Sequence, residues 1–197
     1  TAPHKIEVIK YLDEISADAK LLNSVNTVVN KNGILTGYNT DSEGFYLSLK
    51  NAGVRVENAD ILVMGCGGVV IPALTGIIKY NPKSITLLNR TKAKAEKLAE
   101  DIFNITGYRI KTCMETDSFD IIINTIPFQI LNEERLNLVK KDVVLIDLAS
   151  NPGGVDRKVA KEKELKLIWA LSLPGKVAPI TSAEFIKEVL YHVLEEI

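Results

Sequence analysis

The sequence predicts an α/β fold built on a doubly wound parallel sheet, and three features carry that reading. Strand-length runs dominated by apolar residues recur from residue 60 onward: "DILVMG", "SITLLN", "FDIIINTIP" and "DVVLIDLAS". Runs of this kind suit strands buried on both faces of a parallel sheet. Segments of helical period lie between them, and the first run ends in the glycine-rich stretch "GCGG". Hydrophobic residues make up 46% of the 197, enough to fill a sizeable core.

In chain order, "HKIEVIKYLDEI" predicts a helix, with Pro3 pre-setting its start and Lys5 in its first turn. A cation is mildly unfavourable there, beside the positive end of a helix dipole. "NTVVNKNGILTGYN" predicts a hairpin turning at Lys31-Asn32-Gly33, and a helix follows from Asp41 to about Asn51. Residues 1–53 are too few to bury a core of their own, so they read as the tail of a second domain whose beginning lies upstream.

"DILVMG" is then the first strand of the sheet, and Gly68 to about Tyr80 an apolar helix. "SITLLN" leads into "TKAKAEKLAEDIF", where Ala95, Leu98, Ile102 and Phe103 fall at helical spacing. "YRIKTC" is a third strand, and "FDIIINTIP", "DVVLIDLAS" and "LKLIWA" complete six. "TSAEFIKEVLYHVLEEI" is a closing helix with Thr181 as its N-cap.

Composition narrows the function classes. Net charge is −1 and the 24 basic residues are scattered, which argues against nucleic acid or an anionic membrane as partner. Cys66 and Cys113 have no ligand or disulfide spacing, and two histidines build no metal site. No apolar run approaches a membrane span. A soluble, cytoplasmic protein with free thiols is the expectation.

The glycine stretch carries the first chemical signal. After a strand and before a helix, Gly65, Gly67 and Gly68 permit a tight turn and a close approach of a pyrophosphate to the backbone. The last fingerprint position holds Val70 rather than Gly or Ala, where a bulky residue would push the helix off the strand. A tight turn without ligand is the plain alternative. The second strand ends in Asn89, Arg90 and Thr91 with no carboxylate, about 20 residues past the glycine turn, where an NAD site places an acid. Arg90, helped by Lys92 or Lys94, suits a 2′-phosphate instead, so NADP is the expected cofactor. Elsewhere, Thr40 or Asp41 reads most simply as a helix cap and Asn26 as a turn or strand-end residue.

In order along the chain, "TAPHK", "SVNTVVN", "GYNTD", "GCGG", "NRTKAKAE" and "INTIP" resemble the shikimate dehydrogenases. The resemblance runs from residue 1 to about 127. It implies two α/β domains around a cleft, with residues 1–53 the end of the substrate domain and its linker helix. Residues 54–180 would be the Rossmann-like NADP-binding domain, and 181–197 a helix packing back toward the substrate domain. It further implies NADP-dependent, reversible reduction of 3-dehydroshikimate to shikimate, in a monomer or homodimer acting on a small molecule. By the matching motifs, Lys5 and Asp41 form the catalytic pair, and Thr1 and Asn26 hold substrate hydroxyls. Gly65, Cys66, Gly67, Gly68 and Val69 cradle the dinucleotide, Asn89, Arg90, Thr91 and Lys94 face the adenosine phosphate, and Thr125 lies at the sheet's edge.

Two departures qualify the resemblance. The strand and serine-bearing loop that precede "TAPHK" in that family are not in this sequence. Late in the chain, Ser150 stands where a tyrosine precedes the family's Asn-Pro pair, and "LSLPGKVAPITSAEF" replaces a glutamine-bearing helix start. Residues 145–182 are more similar to the NADP-binding subunit of dipicolinate synthase. There the Gly153-Gly154 and Pro174-Gly175 pairs would shape loops at strand ends, and Lys176 would meet a substrate carboxylate or simply be solvated. A related cyclic acid as substrate, of quinate or dipicolinate type, and a non-catalytic nucleotide-binding domain are the alternatives.

Overall fold

The structure, a computed structural model, describes residues 3–112 and 118–169. Two sheets organise it. The smaller has three strands, β1 (Glu14–Ile15), β2 (Thr27–Lys31) and β3 (Ile34–Tyr38), in the order β1-β3-β2. β2 and β3 form the expected hairpin, and Asn32 and Gly33 take φ of 55° and 88° at the turn. Positive φ at both positions matches the right-handed twist of the strands they join.

The first predicted helix is corrected. Residues 4–15 hold only a 3-10 turn over Glu7–Tyr11, without one buried residue, and Glu14–Ile15 instead pairs parallel to β3. The Asp13 carboxylate accepts the Leu35 amide at 2.7 Å, which draws this stretch onto the sheet. A short helix absent from the sequence reading, α1 (Ala17–Leu22), follows. Ser16 caps it by accepting from the Ala19 amide.

Helix α2 (Asp41–Asn51) matches its predicted span and packs against α3 (Val70–Ile78). At the contact, a Cβ on Gly76 would run into the Ser42 carbonyl, so glycine is what lets the two backbones touch. Val70 does not push its helix away. It is fully buried in the main core cluster together with Ile61 and Val63.

The larger sheet is six parallel strands: β4 (Asp60–Met64), β5 (Ser84–Leu88), β6 (Lys111–Thr112), β7 (Ile121–Asn124), β8 (Val144–Asp147) and β9 (Lys166–Trp169). Their order is β6-β5-β4-β7-β8-β9, so the sheet is built outward in opposite directions from the β4/β7 junction, with all strands parallel. This is the doubly wound order that opens a ligand crevice at the carboxyl ends of the strands where it reverses. Alternate residues feed the two faces. Ile61, Val63, Ile85, Leu87 and Ile123 join α2, α3 and α4 (Lys92–Thr106), while Leu62, Met64, Ile122 and Leu145 join α5 (Glu133–Leu136) and α6 (Arg157–Glu162). On α4, Ala95, Leu98 and Ile102 are buried as predicted, whereas Phe103 is partly exposed under the Arg109 guanidinium. Helices α5 and α6 are additions to the sequence reading. Among the described residues no helix is long and apolar enough to cross a membrane. Thr181 and the closing helix, with Cys113, Pro174, Gly175 and Lys176, lie outside the described residues.

Candidate functional site

At the carboxyl ends of β4, β5 and β7 a cleft of about 810 Å³ opens, a size suited to a small-molecule or cofactor site. Gly65 ends β4 with φ 102°, donates its amide to the Leu88 carbonyl, and leaves no room for a Cβ against Thr125 Oγ1. Only glycine fits both demands. Thr125 is held in turn, its hydroxyl donating to the Met64 carbonyl at 2.8 Å. Gly65, Cys66 and Gly67 line the cleft, while Gly68 and Val69 sit just beyond it and lead into α3.

The opposite wall comes from the end of β5. The Asn89 amide donates to the Thr91 carbonyl at 2.9 Å, folding the turn that presents Arg90. Lys94 lines the cleft, whereas Lys92 pairs with Glu96 on the helix surface. Among the described residues the lining includes Arg90, Lys94 and Arg135 and no carboxylate, which makes that lining cationic. Burial pushes the Cys66 thiol above its ordinary value, and the Lys94 charge acts against that shift.

A second polar cluster gathers residues far apart in sequence. Lys5 Nζ donates to Asp41 Oδ2 at 2.7 Å, with both side chains about a quarter to a third exposed. Asn26 Nδ2 donates to Asp41 Oδ1 at 2.9 Å, and its Oδ1 accepts the Thr40 amide. Lys5 is tied in place by its carbonyl, which accepts the Val25 amide, and Asn39 sets the entry to α2 by accepting the Asp41 amide. Asp41 therefore does not cap α2; its carboxylate is taken by Lys5 and Asn26. Thr1 lies outside the described residues.

The family model for shikimate / quinate 5-dehydrogenase matches residues 47–169. The chain belongs to the shikimate/quinate 5-dehydrogenase family. Similar relatives are the shikimate dehydrogenase (NADP(+)) of Nitrosopumilus maritimus, 36% identical, and that of Methanococcus aeolicus, 38% identical. Each alignment covers 88% of this chain, and 67% and 66% of the respective relative. A crystal structure of a shikimate dehydrogenase in complex with NADP+ is 36% identical, with a TM-score of 0.72, covering 85% of this chain and 63% of that one. The chain thus spans about two thirds of the length of these relatives.

This shikimate/quinate 5-dehydrogenase family chain carries cleft residues the sequence reading missed. Phe128, Gln129 and Arg135 follow "INTIP" and form the wall after β7. The rule that ligands meet the carboxyl ends of strands would have pointed to this segment. Behind it lies a buried polar knot. Asp147 accepts from Asn124 Nδ2 and from the amides of Ala149, Gly154 and Val155, and Asn124 also bonds both backbone groups of Ile126. Gly154 packs so tightly on Asn124 that no Cβ fits. Gly153 and Gly154 therefore do shape a loop at a strand end, and that loop props the cleft wall.

Proposed function

We propose that this protein is an NADP-dependent oxidoreductase that reversibly reduces 3-dehydroshikimate to shikimate, with quinate as the related substrate to test. Residues 1–53 contribute to substrate binding and 54–180 to binding the dinucleotide. The protein acts in the cytoplasm, as a monomer or homodimer. Support for NADP comes from a glycine turn that leads into a helix amino end and from Arg90 and Lys94 in the cleft lining, cations suited to a 2′-phosphate, with no carboxylate among the described lining residues.

One contact carries the catalytic part of this reading, the 2.7 Å bond between Lys5 Nζ and Asp41 Oδ2. Bound NADPH supplies the hydride to the C3 carbonyl. Lys5 offers the developing alkoxide a positive charge and a proton from Nζ, and recovers that proton from solvent. Asp41 aims the ammonium and accepts from a substrate hydroxyl, while Asn26 fixes the carboxylate.

The test is NADPH oxidation by the complete gene product with 3-dehydroshikimate, and NADP+ reduction with quinate. Turnover is expected, with Lys5→Ala lowering kcat by about 10²–10⁴-fold. Absence of turnover with both, or an undiminished kcat in the variant, rejects the reading.

A further inference from the structure

We propose that Arg135 is a second phosphate-binding arginine of the cleft, facing Arg90 across the glycine turn. This rests on the dinucleotide reading of the same cleft. Arg135 stands on α5, which follows β7, whereas Arg90 follows β5 on the other side of β4. The two cations therefore flank Gly65 from opposite walls.

Two observations point to a ligand. First, Arg135 Nη1 is shut off from solvent and has no hydrogen-bond partner among the described residues. Native proteins rarely leave a buried donor unpaired, and a guanidinium N–H is among the costliest to leave so. No ion pair among the described residues engages this side chain, although Glu133 and Glu134 are its neighbours in sequence. Second, among the described residues the cleft it lines holds two further cations and no acid, so the acceptor that suits it is an anion brought by the ligand. The fork of an arginine matches the paired oxygens of a phosphate, and a small turn of the side chain brings its donors to bear.

The experiment is calorimetric titration of the complete protein with NADP+, NAD+ and inorganic pyrophosphate, comparing wild type, Arg135→Gln and Arg135→Lys. Arg135→Gln is expected to weaken NADP+ by about 10- to 100-fold, the loss of charge-assisted bonds, and Arg135→Lys by less. Equal loss for NADP+, NAD+ and pyrophosphate places the bonds on the pyrophosphate; loss for NADP+ alone places them on the 2′-phosphate. The ligand-free Tm of Arg135→Gln should not fall, because the side chain has no partner to lose there. Affinities that ignore Arg135 for every probe, or losses matched by a lower ligand-free Tm, overturn the proposal. If wild type binds pyrophosphate through Arg135 but not NADP+, the cofactor reading fails and this one stands.

Discussion

Ser42 and Thr75 share a buried hydrogen bond of 2.8 Å between α2 and α3. Thr75 spends its own proton on the Ile71 carbonyl at 2.9 Å, so Ser42 is the donor. Asp41 is the next residue toward the amino end, and α3 leads back to the glycine turn. The carboxylate beside Lys5 is thereby tied to the helix that follows the glycine turn.

Gly76→Ala should break this joint. Its Cβ meets the Ser42 backbone, which cannot yield as a side chain tip would. Thermal unfolding is expected to show a loss of about 1–3 kcal/mol, with kcat falling as Asp41 shifts. Gly44→Ala, on the same α2 with nothing near its Cβ, should stabilise by about 0.5–1 kcal/mol. Equal effects at the two positions would show that close packing does not set the spacing.

Asn26→Ala strips Asp41 of one of its two fixed partners. The pair with Lys5 remains, so NADP+ affinity should hold while kcat drops by about tenfold, roughly 1.4 kcal/mol. Steady-state kinetics with calorimetry separates the two. A change in cofactor affinity alone would detach Asn26 from the chemistry.

Stability should fall on the acid side through the lower rim of the sheet. Lys83 and Ser84 both donate to Asp60, holding its carboxyl below the ordinary 3.8, and Lys140 does the same for Asp120. A carboxyl with a lowered folded pKa stabilises above its unfolded value and loses that contribution as pH falls through the folded one. Lys83→Met is therefore expected to lower the denaturation midpoint near neutrality, with the two proteins converging as pH drops below 3.8. The Lys83 ammonium is raised by the same contact, so its share is complete below 10.5 and fades above its folded pKa. A wild-type advantage that persists in strong acid would refute the ion pair as its source.

Cys66 should resist alkylation at neutral pH. Burial pushes its thiol above the ordinary 9.0, and the thiolate is the reacting form. Mass-spectrometric rates at this residue should climb only at alkaline pH, be slowed by NADP+, and slow further in Lys94→Gln. Rapid labelling at neutrality would contradict this.

The larger sheet was legible in the sequence because its long strands are dominated by apolar residues, and Asn32-Gly33 announced the hairpin of the smaller sheet. Helix α2 was readable in its span, although neither Thr40 nor Asp41 caps it with a side chain. The stretch from Glu7 to Tyr11 was misread because a helical pattern without a single buried position has nothing to hold it in an α-helix. Helices α5 and α6, of four and six residues, are shorter than the window in which helical period can be read. The Gly-turn and Arg90 were found from local spacing, whereas the meeting of Lys5, Asn26 and Asp41 depends on pairings between distant segments. Only the family resemblance brought them together in advance. Arg135 had no signal beyond its place after a strand end.

Trp169 ends β9, donating its indole N–H toward the Ala149 carbonyl with the Arg157 guanidinium 3.3 Å from its ring centre. It is the chain's one tryptophan. Its fluorescence is thus a built-in reporter of the far edge of the sheet, quenched or restored as the loop after β8 shifts against Arg157, and readable without any added label.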